Sequence, residues 1–176
     1  MTMRGFAAAA TALVGLAGCT TLGDIPTKRV ASATLRLANG TPAGEAFITA
    51  SGERLTLSVA AIGLPAGAHG IHLHTTGSCD APTFASAGGH LNPAGHQHGT
   101  ANPAGSHLGD LPNLIANTAG LASLSAPLNG LRSDTESALF DGDGTALVIH
   151  AAPDDYKTDP SGNSGTRIAC GVIKRD

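Results

Sequence analysis

The sequence predicts an all-β domain, an antiparallel Greek-key β-sandwich or barrel with two long functional loops. Three observations point there. Apolar and polar residues alternate along several short runs, the period-two signature of strands with one buried face. Gly (24) and Pro (10) are abundant among the 176 residues, which suits many turns rather than long helices. Aromatic residues make up 3% and Trp is absent, so the core has to be built from Val, Leu, Ile and Ala. The length suits one domain with a core of its own.

Residues 1–18 read as an export signal outside the fold. Arg4 gives a positive start, and Phe6 to Ala17 is an apolar run too short to span a membrane. The run ends in Leu16-Ala17-Gly18-Cys19, small residues before a Cys that resemble a bacterial lipobox, in which Cys19 becomes the lipidated first residue. An ordinary signal peptide with a chance Cys is the alternative. On the lipobox reading, residues 19–28 are a lipidated tether and 29–176 the domain, facing the periplasm from a bacterial cell envelope and anchored to a membrane.

The first strand follows from Ala31, Ala33, Leu35 and Leu37 alternating with Ser32, Thr34 and Arg36, and Asn39-Gly40 after it is hairpin-turn chemistry. Glu45 to Ala50 reads as the second strand, and Leu55, Leu57 and Val59 alternate through the third. Pro65 and Gly67 make a turn before a strand from His69 to His74. Residues 75–113 carry much Gly, Pro, Asn and His and little strand pattern, a loop long enough to be functional. Asp134 to Glu136 could start a helical turn, but a solvated loop is the preferred reading. Asp141-Gly142-Asp143-Gly144 is a turn, without the downstream Glu of a calcium loop, and leads into a strand from Thr145 to Ile149. A second polar loop covers 151–166, and Arg167 to Ile173 is the last strand.

Formal net charge is −3, with no arginine-rich stripe and no aromatic platform for bases, so nucleic acid is excluded as a partner. The three cysteines are Cys19, Cys79 and Cys170. With Cys19 lipidated, the remaining exported pair is expected to be a disulfide tying the histidine-rich region to the last strand.

The histidines carry the chemistry. Seven of the 8 fall between His69 and His107, and the last is His150. In a strand, residues i and i+2 share a face about 7 Å apart, so His72 and His74 can present two imidazoles together. His150 ends an apolar strand, and His90, His98, His107 and Asp110 come from the loop as a second set. An open, all-imidazole site favours copper(II). A closed tetrahedral site of three histidines and one Asp favours zinc.

The fragments His69-Gly70-Ile71-His72-Leu73-His74, Gly89-His90-Leu91-Asn92-Pro93, His98-Gly99, His107-Leu108-Gly109-Asp110-Leu111 and Gly165-Thr166-Arg167-Ile168-Ala169-Cys170-Gly171-Val172-Ile173 occur in this order. Together they resemble the copper/zinc superoxide dismutase family, in register from Val30 to Lys174. The resemblance implies conversion of superoxide to dioxygen and hydrogen peroxide. It implies that His72, His74, His90 and His150 bind copper, and that His90, His98, His107 and Asp110 bind zinc, with His90 shared as a bridging imidazolate. Asp154 falls where the family has a carboxylate linking His72 to His98; Asp155 beside it is a second candidate. Arg167 matches the active-site arginine, Cys79 and Cys170 the intrasubunit disulfide, and His69 a non-ligand that bonds backbone.

His96 matches no ligand and is expected to be exposed. Thr75 and Thr76 follow His74 where an acidic residue is frequent, and the loop from His150 to Arg167 is short, with charges, Lys157 among them, that do not align. Monomer and homodimer both stay open. Two rival readings use the same residues: an envelope lipoprotein that binds or stores copper and zinc without catalysis, and a structural or adhesive lipoprotein in which metals serve only stability. An intact Arg167 and Asp154 favour the enzyme, since storage needs neither.

Overall fold

A computed structural model describes residues 1–2 and 26–176. The export signal from residue 3 on, Cys19 and the tether up to residue 25 lie outside the described residues. Among the described residues, nine strands form one antiparallel ladder: β1 (Thr27–Leu37), β2 (Pro42–Ser51), β3 (Arg54–Ala61), β4 (Gly67–His69), β5 (Ile71–His74), β6 (Leu114–Ala116), β7 (Ala122–Pro127), β8 (Thr145–His150) and β9 (Arg167–Arg175). Their order is β4-β6-β7-β3-β2-β1-β9-β8-β5. The two end strands, β4 and β5, are consecutive in the chain with only Gly70 between them, so the sheet curls into a nearly closed barrel. The expected single strand from His69 to His74 is thus two, pairing with β6 on one side of Gly70 and with β8 on the other.

The alternation works as read. Ala31, Ala33 and Leu35 of β1, Ile48 of β2 and Leu55, Leu57 and Val59 of β3 point into the core and are buried. Each such Leu or Ile contributes about 1.5–3 kcal/mol of burial. β5 and β8 are buried on both faces. Ile71, Leu73, Leu147 and Ile149 enter the main core, whereas Ala146 and Val148 face outward into a second cluster with Phe84, Ala87 and Cys170. His72 and His74 pair with Val148 and Ala146, so they share that outward face and lie under the long loop.

A departure falls between β7 and β8. The sequence reading leaves Asp134 to Glu136 in a solvated loop; the chain instead forms an α-helix, α1 (Arg132–Leu139). Its N-cap is Leu131, whose side chain caps nothing, so the usual Ser/Thr/Asp signal is absent. An Arg132 Nε to Glu136 Oε1 bond of 2.6 Å at i,i+4, burial of Thr135 and Leu139, and a Thr135 Oγ1 bond to the Asn129 carbonyl hold it instead. No helix among the described residues is long and apolar enough to cross a membrane.

Candidate metal centre

The long loop is laid along β5 by backbone bonds. Leu91 N–H donates to the Leu73 carbonyl (2.8 Å), Leu73 N–H to that of Gly109 (2.9 Å), and Gly109 N–H to that of Leu91 (2.9 Å). A side chain at 109 would bring its Cβ to 2.3 Å from the Leu73 carbonyl oxygen, so this approach requires glycine. The result sets His90 beside His74 and Asp110 beside His72.

His72, His74, His90 and His150 form one buried group whose ligand atoms all lie within 4.8 Å of one another. In each ring one nitrogen is committed elsewhere. His72 Nε2–H donates to Asp154 Oδ2 (2.7 Å), His74 Nδ1–H to the Gly88 carbonyl (2.9 Å) and His150 Nδ1–H to the Gly165 carbonyl (3.2 Å). The other nitrogens, His72 Nδ1, His74 Nε2, His90 Nε2 and His150 Nε2, are buried and have no hydrogen-bond partner. Four converging, unpaired acceptors in one dry place are costly unless a cation is their partner, so the group fits a metal held by four imidazoles.

The second group, His90, His98, His107 and Asp110, uses the opposite nitrogen of His90. Asp110 Oδ1 stands 3.0 Å from His90 Nδ1, 3.0 Å from His98 Nδ1 and 3.2 Å from His107 Nδ1, and the His90 and His107 Nδ1 atoms are 3.4 Å apart. A tetrahedron with metal–ligand distances of about 2.0 Å has edges of about 3.3 Å, so these four atoms have the spacing of one zinc-type cage. His98 Nδ1, although 3.0 Å from Oδ1, is not aligned to hydrogen-bond with it, as expected for two ligands of one ion rather than a bonded pair. Backbone N–H groups of Gly99 (2.9 Å) and His107 (3.0 Å) hold the second Asp110 oxygen.

Asp154 joins the two groups. Its Oδ2 accepts from His72 and its Oδ1 accepts from His98 Nε2–H (2.9 Å). Asp155 is exposed and does other work, accepting from the Lys157 and Thr158 N–H groups, the Thr158 hydroxyl and Asn163. Asp154 is therefore the linker by position.

Without metal, burial and neighbouring rings push His74 down to about 2, His150 to about 3 and His90 to about 4, and burial also lowers His72. The rings are thus neutral near pH 7, the form that binds metal. Burial would raise Asp154, but the bonds from His72 and His98 outweigh it and keep the carboxyl below its ordinary range. Asp110 is likewise held low, by the His90 and Gly99 bonds against burial.

Arg167 opens β9 and points toward the loop. Its Nη1 donates to the Phe84 carbonyl and its Nη2 to the Gly88 carbonyl, both at 2.6 Å, and Gly88 is the acceptor that also orients His74. The guanidinium lines an open cavity of 870 Å³ together with Thr83, Ala85, Gly88, Gly89 and Thr166, and is the one charged group among the described residues that line it. The Cys79–Cys170 disulfide is formed and closes this side of the loop onto β9. The His69 ring nitrogens lie 2.8 Å from the His150 and Pro65 carbonyls, away from the ligand sets. His96 and Lys157 are exposed.

Sequence reasoning passed over the Phe84 and Gly88 carbonyls, which act through backbone and leave no residue-type signal. It also passed over Asp159, whose Oδ1 accepts the His98 N–H (2.5 Å), and over Asn113.

The family model described as copper/zinc superoxide dismutase (SODC) matches residues 42–173. The chain is 45% identical over 134 residues to "Superoxide dismutase [Cu-Zn] 2" of Aquifex aeolicus, covering 74% of this chain and 78% of that protein. It is 38% identical over 169 residues to "Superoxide dismutase [Cu-Zn]" of Caulobacter vibrioides, covering 94% and 97%. Among solved structures it resembles a SOD-like protein from Bacillus subtilis, with TM-score 0.72, 39% identity and coverage of 80% and 96%.

Proposed function

The chain belongs to the copper/zinc superoxide dismutase family, and from that premise we propose which of its residues carry the reaction. It is an oxidoreductase that uses copper and zinc and turns two superoxide anions and two protons into dioxygen and hydrogen peroxide. We assign copper to His72, His74, His90 and His150, and zinc to His90, His98, His107 and Asp110. Bound copper supplies one-electron redox chemistry, and zinc, which has none, adds fixed positive charge beside His90. One observation supports this division most: the His90 ring offers Nε2 to one buried group and Nδ1 to the other.

The remaining roles follow from position. Arg167 is the one charged residue among the described residues that line the cavity, and its guanidinium, fixed on two carbonyls, is suited to hold a small anion where peroxide charge develops. The Phe84 and Gly88 carbonyls keep its fork in place. His90 Nε2 is the atom at which a proton can be held for delivery to the substrate. Asp154 fixes the tautomers of His72 and His98, leaving both Nδ1 lone pairs free for metal. A storage protein would need neither the guanidinium nor its carbonyl clamps.

Purified, oxidised protein loaded with copper and zinc should bind one of each per chain and remove superoxide; binding of both metals without superoxide removal would favour storage. We further propose that residues 1–18 are cleaved and that Cys19 carries lipid, tethering 29–176 to a bacterial envelope membrane on its periplasmic side. The support is the Leu16-Ala17-Gly18-Cys19 pattern. Cys19→Ala should release the protein from the membrane fraction, and a variant that stays there would refute the anchor.

A further inference from the structure

Asp154 can orient two histidines only if its own backbone is fixed, and it sits in a loop with no strand to fix it. The side chain of Asn113 makes that connection. Asn113 Oδ1 accepts the Asp154 N–H at 2.8 Å, and Asn113 Nδ2 donates to the Asp154 carbonyl at 2.9 Å. A single amide thus grips both polar backbone groups of one residue, as a neighbouring strand would. The grip is closed from the other side by Tyr156, whose N–H donates to Asp154 Oδ1 (2.6 Å) and whose hydroxyl accepts the Asn113 N–H (2.7 Å). Asn113 lies three residues after Asp110 and directly before β6, so the clamp ties the linker to the rigid barrel and to the zinc cage together.

Resting on the ligand assignment above, we infer that Asn113 is a positioning residue that sets the Asp154 carboxylate and, through it, the relative orientation of His72 and His98. It touches neither substrate nor metal. Its effect runs through the linker alone, and that fixes the form of the test. Partners of ligating histidines typically influence metal affinity by about 10–100-fold. Zinc release into a chelator and the copper electron paramagnetic resonance spectrum are measured for wild type, Asn113→Ala, Asp154→Ala and the double variant.

Asn113→Ala should release zinc about tenfold faster than wild type and shift the copper spectrum in the same direction as Asp154→Ala. The double variant should be no worse than Asp154→Ala alone, because the clamp has nothing left to position. A general structural loss would instead add to the Asp154→Ala effect, and such additivity would overturn the inference. So would wild-type release and spectrum in Asn113→Ala while Asp154→Ala is fast. If Asp154→Ala itself released zinc as slowly as wild type, the linker role of Asp154 would fail, and the inference with it. Asn113→Asp, which keeps size and the acceptor but turns a carboxylate toward the Asp154 carbonyl, serves the same cycle if the alanine variant does not fold.

Discussion

Each histidine of the first group is oriented by an acceptor on its far nitrogen or, for His90, by membership of the second group. Removing one ring therefore has effects that depend on which ring it is. His90→Ala should uncouple the groups: copper and zinc should then bind independently, and the copper spectrum should lose its wild-type form; an unaltered spectrum would rule out a shared ring. Arg167→Ala should leave both metals bound and lower turnover on the order of 100-fold, while Arg167→Lys keeps charge but loses the fork that fits two carbonyls. Unchanged kinetics in both would remove Arg167 from the reaction. The buried rings also give the metal-free protein a definite pH response. His74, His150 and His90 stand at about 2, 3 and 4 when folded, against an ordinary value of 6.5. The unfolded chain thus holds more protons from about pH 6.5 down to about pH 2, so stability is complete above that window and drains away as pH falls through it. Melting temperature of metal-free protein should decline steadily from pH 7 to about pH 4, and less so with metals bound, since cations compete with protons; a flat profile would contradict the burial. The seven proposed ligands and Asp154 could be read from residue type and spacing, because ligation needs particular side chains. Asn113 could not, because an amide gripping a backbone looks like any loop asparagine.

At the scale of elements, strand and loop divide the labour. β5 alternates Ile71 and Leu73 into the core with His72 and His74 on the outside, so the period that builds the barrel also delivers two ligands to one face. That was legible because burial on one side enforces alternation. β6 and α1 were not: β6 has three residues, and α1 begins without a capping side chain. Both are specified by tertiary contact. The disulfide was legible from cysteine number, but its work is seen only in three dimensions. Cys79 and Cys170 lie 91 residues apart with Cα atoms at 5.7 Å, and they bind the loop that supplies the Phe84 and Gly88 carbonyls to the strand that supplies Arg167. Cys79→Ser should lower stability by about 4–5 kcal/mol on chain-entropy grounds, read from denaturant midpoints. It should also reduce turnover at full metal loading, because the arginine clamp loosens. Lost stability with intact turnover would show that the clamp does not need the bridge.

The whole molecule is a ladder whose two ends meet at Gly70. Its N–H donates to the Ala152 carbonyl and its carbonyl accepts the His150 N–H, both at 2.8 Å, so the closing point of the barrel lies between a ligand strand and the second loop. A Cβ at this position would stand 2.8 Å from both Cβ and Oγ of Ser164 and 3.2 Å from His72 Cε1. Ser164 is fully buried and bonded to the Ser161 carbonyl, so it has nowhere to retreat. A larger residue at 70 must therefore move either the second loop or the His72 ring, and it acts on closure and ligation together. Gly70→Val should cost about 1–3 kcal/mol by overpacking and should also weaken copper retention more than zinc retention, since His72 is the ring it meets. Gly142→Ala, at a turn position with nothing within 4 Å of the added carbon, is the control that should change neither. A Gly70→Val protein with a wild-type urea midpoint and wild-type copper content would mean that the ladder does not close tightly there, and that the geometry of the first histidine group is set by the loops alone.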